Sequence, residues 1–208
     1  MIILFDLDGT LIDSTDAILE SFHNSFDVHK HPGSNDEQIK ALIGYPLDIM
    51  YSKLGVEDEK VWDFVATYKT HYRKISRQKT TLLPFAKDAV LNASKIARLG
   101  VVTTKTARYS KELMEHFELM NYFEVLIGRE DVENPKPDAE PILKALKQMN
   151  HKDEKCYMIG DTILDIEASK NAKIECLAVE CGYDTRQRLE SYGVKVFENA
   201  LSSIKYLS

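Results

Sequence analysis

Short runs of apolar residues separated by amphipathic stretches are the main pattern along the chain. The first run covers residues 2–5, and four consecutive apolar residues are typical of a strand that is buried on both faces. Later apolar runs are centred on Val101, Val125, Met158, Leu177 and Val196. Between them, segments such as 110–119 and 139–149 carry apolar residues at helical spacing. This alternation predicts βα units, and hence an α/β fold with a parallel sheet flanked by helices.

The segment from residue 15 to residue 81 interrupts this alternation, because it shows helical patterns and no strand pattern. Four helices are expected in it, beginning near Ser14, Asn35, Pro46 and Glu59. The second is expected to reach residue 43 and the fourth to reach residue 78. We therefore expect two domains: an α/β core of residues 1–14 and 82–208, and an inserted small helical bundle of residues 15–81.

Two acidic residues, Asp6 and Asp8, directly follow the first apolar run. Residues two apart in an extended segment point the same way, so both carboxylates can face one pocket, and Gly9 then allows the chain to turn. Open α/β sheets bind ligands just beyond the carboxyl ends of their strands. Two acids so close in a dry site would repel each other unless a cation or a shared proton intervened. A hard metal ion is therefore implied.

A second strand followed by acids occurs at residues 156–165. The apolar run 156–159 ends in Gly160 and Asp161, and Asp165 follows one helical turn later if a helix begins near Thr162. Carboxylates, carbonyls and waters are the ligands that Mg²⁺ takes, with substrate phosphate completing its shell. The sequence thus predicts a Mg²⁺ site built from acids of two strands.

Two other segments supply groups that suit an anionic substrate. The apolar run around Val101 ends in the hydroxyl residues Thr103 and Thr104, and Lys136 lies between two prolines. A hydroxyl can hydrogen-bond phosphoryl oxygens, and a lysine with a fixed backbone acts as a placed positive charge.

Together and in this order, these segments resemble the haloacid dehalogenase superfamily of phosphohydrolases. The resemblance spans residue 1 to about residue 183, and the segments 11–14, 102–105, 136–138 and 182–183 look most like its phosphoglycolate phosphatase branch. It implies a Rossmann-like core with a helical cap that closes over a phosphate ester. Departures from the family pattern are Ala172-Lys173 and Pro84-Phe85, where the family commonly has glycine as the second residue.

The resemblance also implies roles for individual residues. Asp6 would be the nucleophile and Asp8 the general acid/base, while Thr103 and Lys136 would hold the phosphoryl group. Mg²⁺ would be bound by the Asp6 carboxylate, the Asp8 main-chain oxygen and Asp161, with Asp165 supporting. We further expect substrate contacts at Gly9, Thr10, Thr104 and, in the cap loop 43–47, Tyr45.

The chemistry of phosphate ester hydrolysis agrees with these roles. A carboxylate can attack phosphorus to give an acyl phosphate, which splits hydrolysis into two easier displacements. The leaving oxygen needs a proton and the later water must lose one, so a nearby acid is required. A metal ion and a lysine would neutralise charge on the transferring group.

Charge and composition narrow the partners. A formal charge of −6 and a pI near 5.6 argue against nucleic acid or an anionic membrane as the main partner. No apolar stretch approaches transmembrane length, and three cysteines fit reduced thiols. We therefore expect a cytoplasmic phosphatase that acts on a small phosphorylated metabolite, with its oligomeric state open.

Three alternative functions have to be weighed against this one. Phosphotransfer like that of β-phosphoglucomutase is disfavoured, because segment 44–48 lacks the arginine that such mutases use to hold a distal phosphate. Pyrophosphate hydrolysis fits the same site. A non-catalytic phosphate-sensing protein would be signalled by loss of one of the acids, and all four are present.

Overall fold

The computed structural model describes all 208 residues, which fold into two compact units. The first comprises Met1–Asp13 and Leu82–Ser208, and the second comprises Ser14–Thr81. The domain boundaries expected from the sequence differ from these by one residue at the first crossing and coincide at the second.

Eight strands and ten α-helices make up the fold. The strands are β1 Ile2–Phe5, β2 Ile12–Asp13, β3 Thr81–Leu82, β4 Arg98–Val102, β5 Phe123–Ile127, β6 Cys156–Gly160, β7 Glu175–Val179 and β8 Lys195–Phe197. The helices are α1 Thr15–Val28, α2 Asp36–Lys40, α3 Leu47–Lys53, α4 Val61–Ile75, α5 Ala86–Ala93, α6 Ala107–His116, α7 Glu140–Gln148, α8 Ile163–Asn171, α9 Arg186–Glu190 and α10 Ala200–Leu207.

Six of the strands form one parallel sheet in the order β5-β4-β1-β6-β7-β8, while β2 and β3 pair separately. The predicted α/β class, with a Rossmann-like parallel sheet flanked by helices, is confirmed. The first strand lies in the interior of the sheet, between β4 and β6. The chain therefore reverses its direction of winding at β1, which is where open α/β sheets form their binding crevice.

The apolar run of β1 is explained by helices on both faces of the sheet. Ile3 and Phe5 pack in a cluster that includes residues of α5, α6 and α10. Ile2 and Leu4, one position out of phase, pack in a cluster that includes residues of α7 and α8. All four side chains are fully buried, and this double burial keeps the strand and the acids after it in place.

Helix α6 begins three residues before the predicted start at residue 110. Thr106 is its N-cap residue, and the Ala107 N–H donates to Glu130 Oε2 at 2.9 Å. Ser110 lies inside the helix, where its hydroxyl donates to the Thr106 carbonyl oxygen four residues back. A serine at the predicted start of the helix is therefore an interior residue whose hydroxyl bonds its own helix.

Both departures from the family's glycine pattern fall on backbone in the left-handed region. Phe85 has a φ of 64° and Lys173 a φ of 58°. The positive φ that glycine would supply is therefore kept by non-glycine residues. Each such residue costs roughly 1–2 kcal/mol relative to an ordinary helical conformation.

The second unit consists of α1 to α4, with α1 and α4 packed together around an aromatic cluster. Ring centroids lie 4.6 Å apart for Phe22 and Tyr51, and 5.1 Å apart for Phe22 and Tyr68. Helix α4 is shorter than predicted at both ends, because residues 58–60 form a separate 3₁₀ turn and the helix ends at Ile75 rather than at residue 78.

Helix α2 is also shorter than predicted, since Leu42 and Ile43 lie beyond its end. Their N–H groups bond the carbonyls of Ile39 and Lys40, three residues back, so the last turn tightens. Across the whole chain, no helix combines the length and apolar character needed to cross a bilayer.

Candidate active site

The site residues come from loops that follow three neighbouring strands. Asp6 follows β1, Thr103 follows β4 and Asp161 follows β6. Backbone hydrogen bonds continue the sheet into these loops: Asp6 N–H donates to the Ile159 carbonyl at 2.9 Å, and Thr103 N–H donates to the Ile127 carbonyl at 3.0 Å. The carboxyl ends of the three strands thus bring these side chains to one edge of the sheet.

Three buried carboxylates converge at this edge. Oxygen atoms of Asp6, Asp161 and Asp165 all lie within 4.8 Å of one another. Asp161 is held from two sides, because Thr10 Oγ1 donates to its Oδ1 and the Tyr183 N–H donates to its Oδ2, both at 2.9 Å. Asp161 and Asp165 are fully buried, and Asp6 is 4% exposed.

Glycines form the wall that lets these carboxylates fit. A Cβ atom at Gly9 would lie 2.2 Å from Asp161 Oδ2, and one at Gly182 would lie 2.0 Å from the same oxygen. At Gly160 a Cβ would lie 2.3 Å from the Asp165 carboxyl carbon. Gly9 also has a φ of +80°, so both its conformation and its lack of a side chain are required.

Lys136 is the buried cation of the cluster. Its Nζ lies 3.1 Å from Asp6 Oδ1 and 2.5 Å from Asp165 Oδ1, and it also donates to the Val102 carbonyl at 3.1 Å. Burial disfavours the ammonium, but Asp165 and Asp6 outweigh this effect and raise the lysine pKa. Lys136 therefore remains charged.

Asp165 has both carboxylate oxygens occupied by protein groups. Oδ1 accepts from Lys136, and Oδ2 accepts from the Thr162 N–H at 3.1 Å and the Thr162 hydroxyl at 2.7 Å. Thr162 caps α8, and Asp165 completes its capping box. The expected helix near Thr162 is present, and these contacts suit a residue that orients Lys136.

The acids carry more negative charge than the buried lysine neutralises. Burial raises the pKa of Asp6 to about 7; Lys136 opposes the rise, while Asp165 and Asp8 add to it. Burial and the charges of Asp6 and Asp165 also raise the pKa of Asp161 well above its ordinary value.

The donor set fits a divalent cation. Asp6, Asp161 and Asp165 against Lys136 leave two negative charges when all are ionised, and one Mg²⁺ would balance them. Asp6 Oδ1 is buried and accepts no well-formed hydrogen bond, despite its closeness to Lys136. Oxygen ligands of this kind are those that Mg²⁺ prefers. Asp6 and Asp161 are the side chains best placed to hold it.

Asp8 has a cation of its own. Lys105 Nζ lies 2.9 Å from Asp8 Oδ2 and 3.1 Å from Asp8 Oδ1, so the ammonium bridges both carboxylate oxygens. Both side chains are mostly buried, with 9% of Lys105 and 13% of Asp8 exposed. Asp6 and Asp8 are therefore each beside a lysine, although the two lysines come from different loops.

The remaining predicted site residues have varied surroundings. Thr103 is buried, and its Oγ1 accepts from the Lys105 N–H at 3.2 Å. The Gly9 N–H donates to the Ile12 carbonyl, and the Thr10 N–H donates to the Leu7 carbonyl, so both amides belong to the turn after β1.

Two predicted substrate contacts lie further along the chain. Thr104 is half-buried beside Thr103. Tyr45 lies in the second unit, between α2 and α3, where Lys53 Nζ is 5.2 Å from the centre of its ring.

Sequence reasoning did not identify three residues that support the acids. Lys105 contacts Asp8, Thr162 contacts Asp165, and the Tyr183 amide contacts Asp161. Lys105 has a sequence signal, because it follows Thr103 by two residues. Thr162 has one too, as a threonine three residues before an acid at a helix start. The Tyr183 contact comes from a backbone amide and has no signal in its residue type.

Comparison with known proteins places this arrangement in a family. Residues 3–179, most of the chain, match the family described as haloacid dehalogenase-like hydrolase. The pyrophosphatase PpaX of Halalkalibacterium halodurans is 33% identical over 190 residues, which cover 88% of this chain and 84% of that protein.

Solved structures agree with the sequence match. A haloacid dehalogenase-like family hydrolase from Streptococcus pneumoniae superposes with a TM-score of 0.87 at 25% identity, covering 100% of this chain and 98% of that one. The predicted phosphoglycolate phosphatase of Haemophilus somnus has the same fold, with a TM-score of 0.90 at 18% identity over 100% of this chain and 97% of its own. The resemblance seen in the sequence motifs is confirmed, and the chain belongs to the haloacid dehalogenase-like hydrolase family.

Proposed function

We propose that the chain is a Mg²⁺-dependent phosphatase that hydrolyses a small phosphomonoester, phosphoglycolate-like in size and charge, through an aspartyl-phosphate on Asp6. The observation that carries this proposal is the buried Asp6 carboxylate, with the Lys136 ammonium 3.1 Å away and a second acid, Asp8, two residues on. A carboxylate nucleophile, a neighbouring cation and an adjacent acid are the groups that this chemistry needs.

The reaction consists of two displacements at phosphorus. In the first, an Asp6 oxygen bonds to phosphorus, the bond to the leaving oxygen breaks, and Asp8 gives that oxygen its proton. In the second, a water oxygen bonds to phosphorus, Asp8 takes the water proton, and the bond from Asp6 to phosphorus breaks. Inorganic phosphate leaves, and both acids return to their starting states.

Charge neutralisation is the main contribution of the other residues. Lys136 lies beside the nucleophile and would offset charge on the transferring group, while the Thr103 hydroxyl would orient it. Mg²⁺, held by Asp6, the Asp8 main-chain oxygen and Asp161, would supply further positive charge to the phosphoryl oxygens. Asp165 would act by orienting Lys136.

Pyrophosphate hydrolysis is a second candidate, because a relative that is 33% identical over most of both chains is named a pyrophosphatase. The same two displacements apply, with phosphate in place of an alcohol as the leaving group. Pyrophosphate and phosphoglycolate share a negative charge on the part of the molecule that leaves.

Selectivity for the leaving part is proposed to reside in the second unit, acting as a cap. This unit is inserted between Asp8 and Thr103 in the sequence. In an enzyme of this kind a closing cap excludes water and senses the non-phosphate part of the substrate. The loop with Tyr45 is the candidate contact.

The test is turnover by the purified protein of p-nitrophenyl phosphate, phosphoglycolate and pyrophosphate, with Mg²⁺ and after exhaustive chelation. We expect Mg²⁺-dependent release of phosphate, its loss in Asp6→Asn, and normal activity in the matched control Asp153→Asn, which changes an exposed acid. Acid quenching should trap a phosphoryl group on the peptide that contains Asp6. Phosphate binding without turnover of any of these compounds would instead favour the phosphate-sensing alternative.

A further inference from the structure

Lys105, which contacts Asp8, has no role in the two displacements described above. Lys105 Nζ contacts both oxygens of Asp8, at 2.9 and 3.1 Å. Its backbone is anchored twice, since its N–H donates to Thr103 Oγ1 at 3.2 Å and its carbonyl accepts from the Arg129 N–H at 3.0 Å. These contacts fix the position of a mostly buried cation in the site.

The position of the leaving group follows from the role of Asp8. To protonate the leaving oxygen, an Asp8 oxygen must come within hydrogen-bond reach of it, about 2.6–3.2 Å. Lys105 Nζ is one hydrogen-bond length from that same carboxylate. The ammonium is then at most about 6 Å from the leaving oxygen, with two hydrogen bonds laid end to end.

We propose that Lys105 determines specificity by favouring substrates whose leaving group carries a negative charge, such as a carboxylate or a second phosphate. This inference rests on the proposed function and narrows its substrate class. A unit charge about 5 Å from the ammonium, at an effective dielectric constant of about 20, corresponds to a preference of at most a few hundredfold. Because Asp8 already offsets part of the ammonium charge, we expect about 10- to 100-fold.

The two lysines of the site lie beside different parts of the substrate. Lys136 lies against Asp6 and Asp165, on the side of the transferring phosphoryl group. Lys105 contacts the acid that serves the leaving group. If Lys105 only neutralised Asp8, its loss would affect all substrates alike. A role in specificity instead requires that charged and neutral leaving groups be affected differently.

The test compares phosphoglycolate with its neutral amide, phosphoglycolamide, which has nearly the same shape. The quantity measured is the ratio of kcat/KM for the two compounds, in the wild type and in Lys105→Met, Lys105→Arg and the control Lys111→Met. Lys111 is a suitable control because its side chain is 63% exposed on α6. Thermal unfolding of each variant verifies folding.

We expect the wild type to prefer phosphoglycolate, and the ratio to fall about 10- to 100-fold in Lys105→Met. Lys105→Arg should keep the ratio within about threefold, since the charge remains, and Lys111→Met should leave it unchanged. An equal loss for both compounds in Lys105→Met, or an unchanged ratio, overturns the inference. Should Lys105→Met not fold, equal kcat/KM values for the two compounds in the wild type overturn it as well. If the wild type hydrolyses neither compound nor any aryl phosphate, the proposed function fails first.

Discussion

Replacement of Lys136 by methionine tests whether one buried ammonium holds the acidic cluster together. The Lys136 side chain is 1% exposed and contacts Asp6, Asp165 and the Val102 carbonyl. Methionine keeps most of the apolar stem and removes the charge. The change therefore leaves two buried carboxylates without their cation while altering packing little.

The expected cost is large relative to the total stability of the protein. Removing one partner of a buried ion pair costs about 3–5 kcal/mol, because an uncompensated charge stays behind. The free energy of unfolding of an ordinary domain is about 5–15 kcal/mol. Lys136→Met should thus fold, with a loss that urea denaturation at pH 8 in metal-free buffer measures. Lys147→Met, which changes an exposed lysine of α7, should stay within about 0.5 kcal/mol of the wild type.

Two further readouts separate charge from packing. At pH 5 the cost should be smaller, because Asp6, whose pKa burial raises, can take up a proton and lose its charge. Added Mg²⁺ at pH 8 should recover part of the loss by supplying positive charge. A cost below about 1 kcal/mol at pH 8, or a cost that is the same at both pH values, would refute the reasoning.

Three other predictions concern the acids and the cap. Asp8→Ala should slow turnover by about 10² to 10⁴, with alkyl phosphates affected more than aryl phosphates; equal losses would mean that Asp8 serves structure or metal alone. In metal-free protein, the raised pKa of Asp6, about 7 against an ordinary 3.8, gives stability that is present below pH 4 and lost as the pH rises through 7. Asp6→Asn should therefore have a higher free energy of unfolding than the wild type at pH 8, by up to about 4 kcal/mol, but not at pH 4. Excess Mg²⁺ at pH 8 should make the wild type the more stable of the two. A difference in Tm that does not depend on pH contradicts this. Tyr45→Ala should lower kcat/KM for the best substrate more than for p-nitrophenyl phosphate, and equal losses would make Tyr45 a structural turn residue.

The closeness of Asp6 and Asp161 at one edge of the sheet could be predicted from the sequence, because the inference depended on few assumptions. Four apolar residues before Asp6 and four before Gly160 indicated buried parallel strands, and the carboxyl ends of such strands share one edge. Once β1 and β6 are neighbours, Asp6 and Asp161 must be close. Side-chain detail was not required for this conclusion.

Contacts that depend on side-chain conformation could not be predicted in the same way. Lys105 reaches Asp8 across 97 positions of sequence through four rotatable bonds, and nothing in its neighbours in the chain specifies that rotamer. The predicted ends of helices were wrong for a related reason. Leu42 and Ile43 continue the apolar spacing of α2, but hydrogen bonds to residues three back tighten the last turn.

The glycines that surround the carboxylates bear on which cation the protein can use. Gly9 and Gly182 approach Asp161 so closely that a single added carbon would overlap it, and Gly160 does the same to Asp165. The backbone therefore restricts the movement of these carboxylates. Mg²⁺ binds oxygen at about 2.0–2.1 Å in an octahedron, whereas Ca²⁺ needs about 2.3–2.6 Å and six to eight ligands. Gly9 and Gly182 thus restrict Asp161 to one position, which would favour the shorter bonds of Mg²⁺ over those of Ca²⁺.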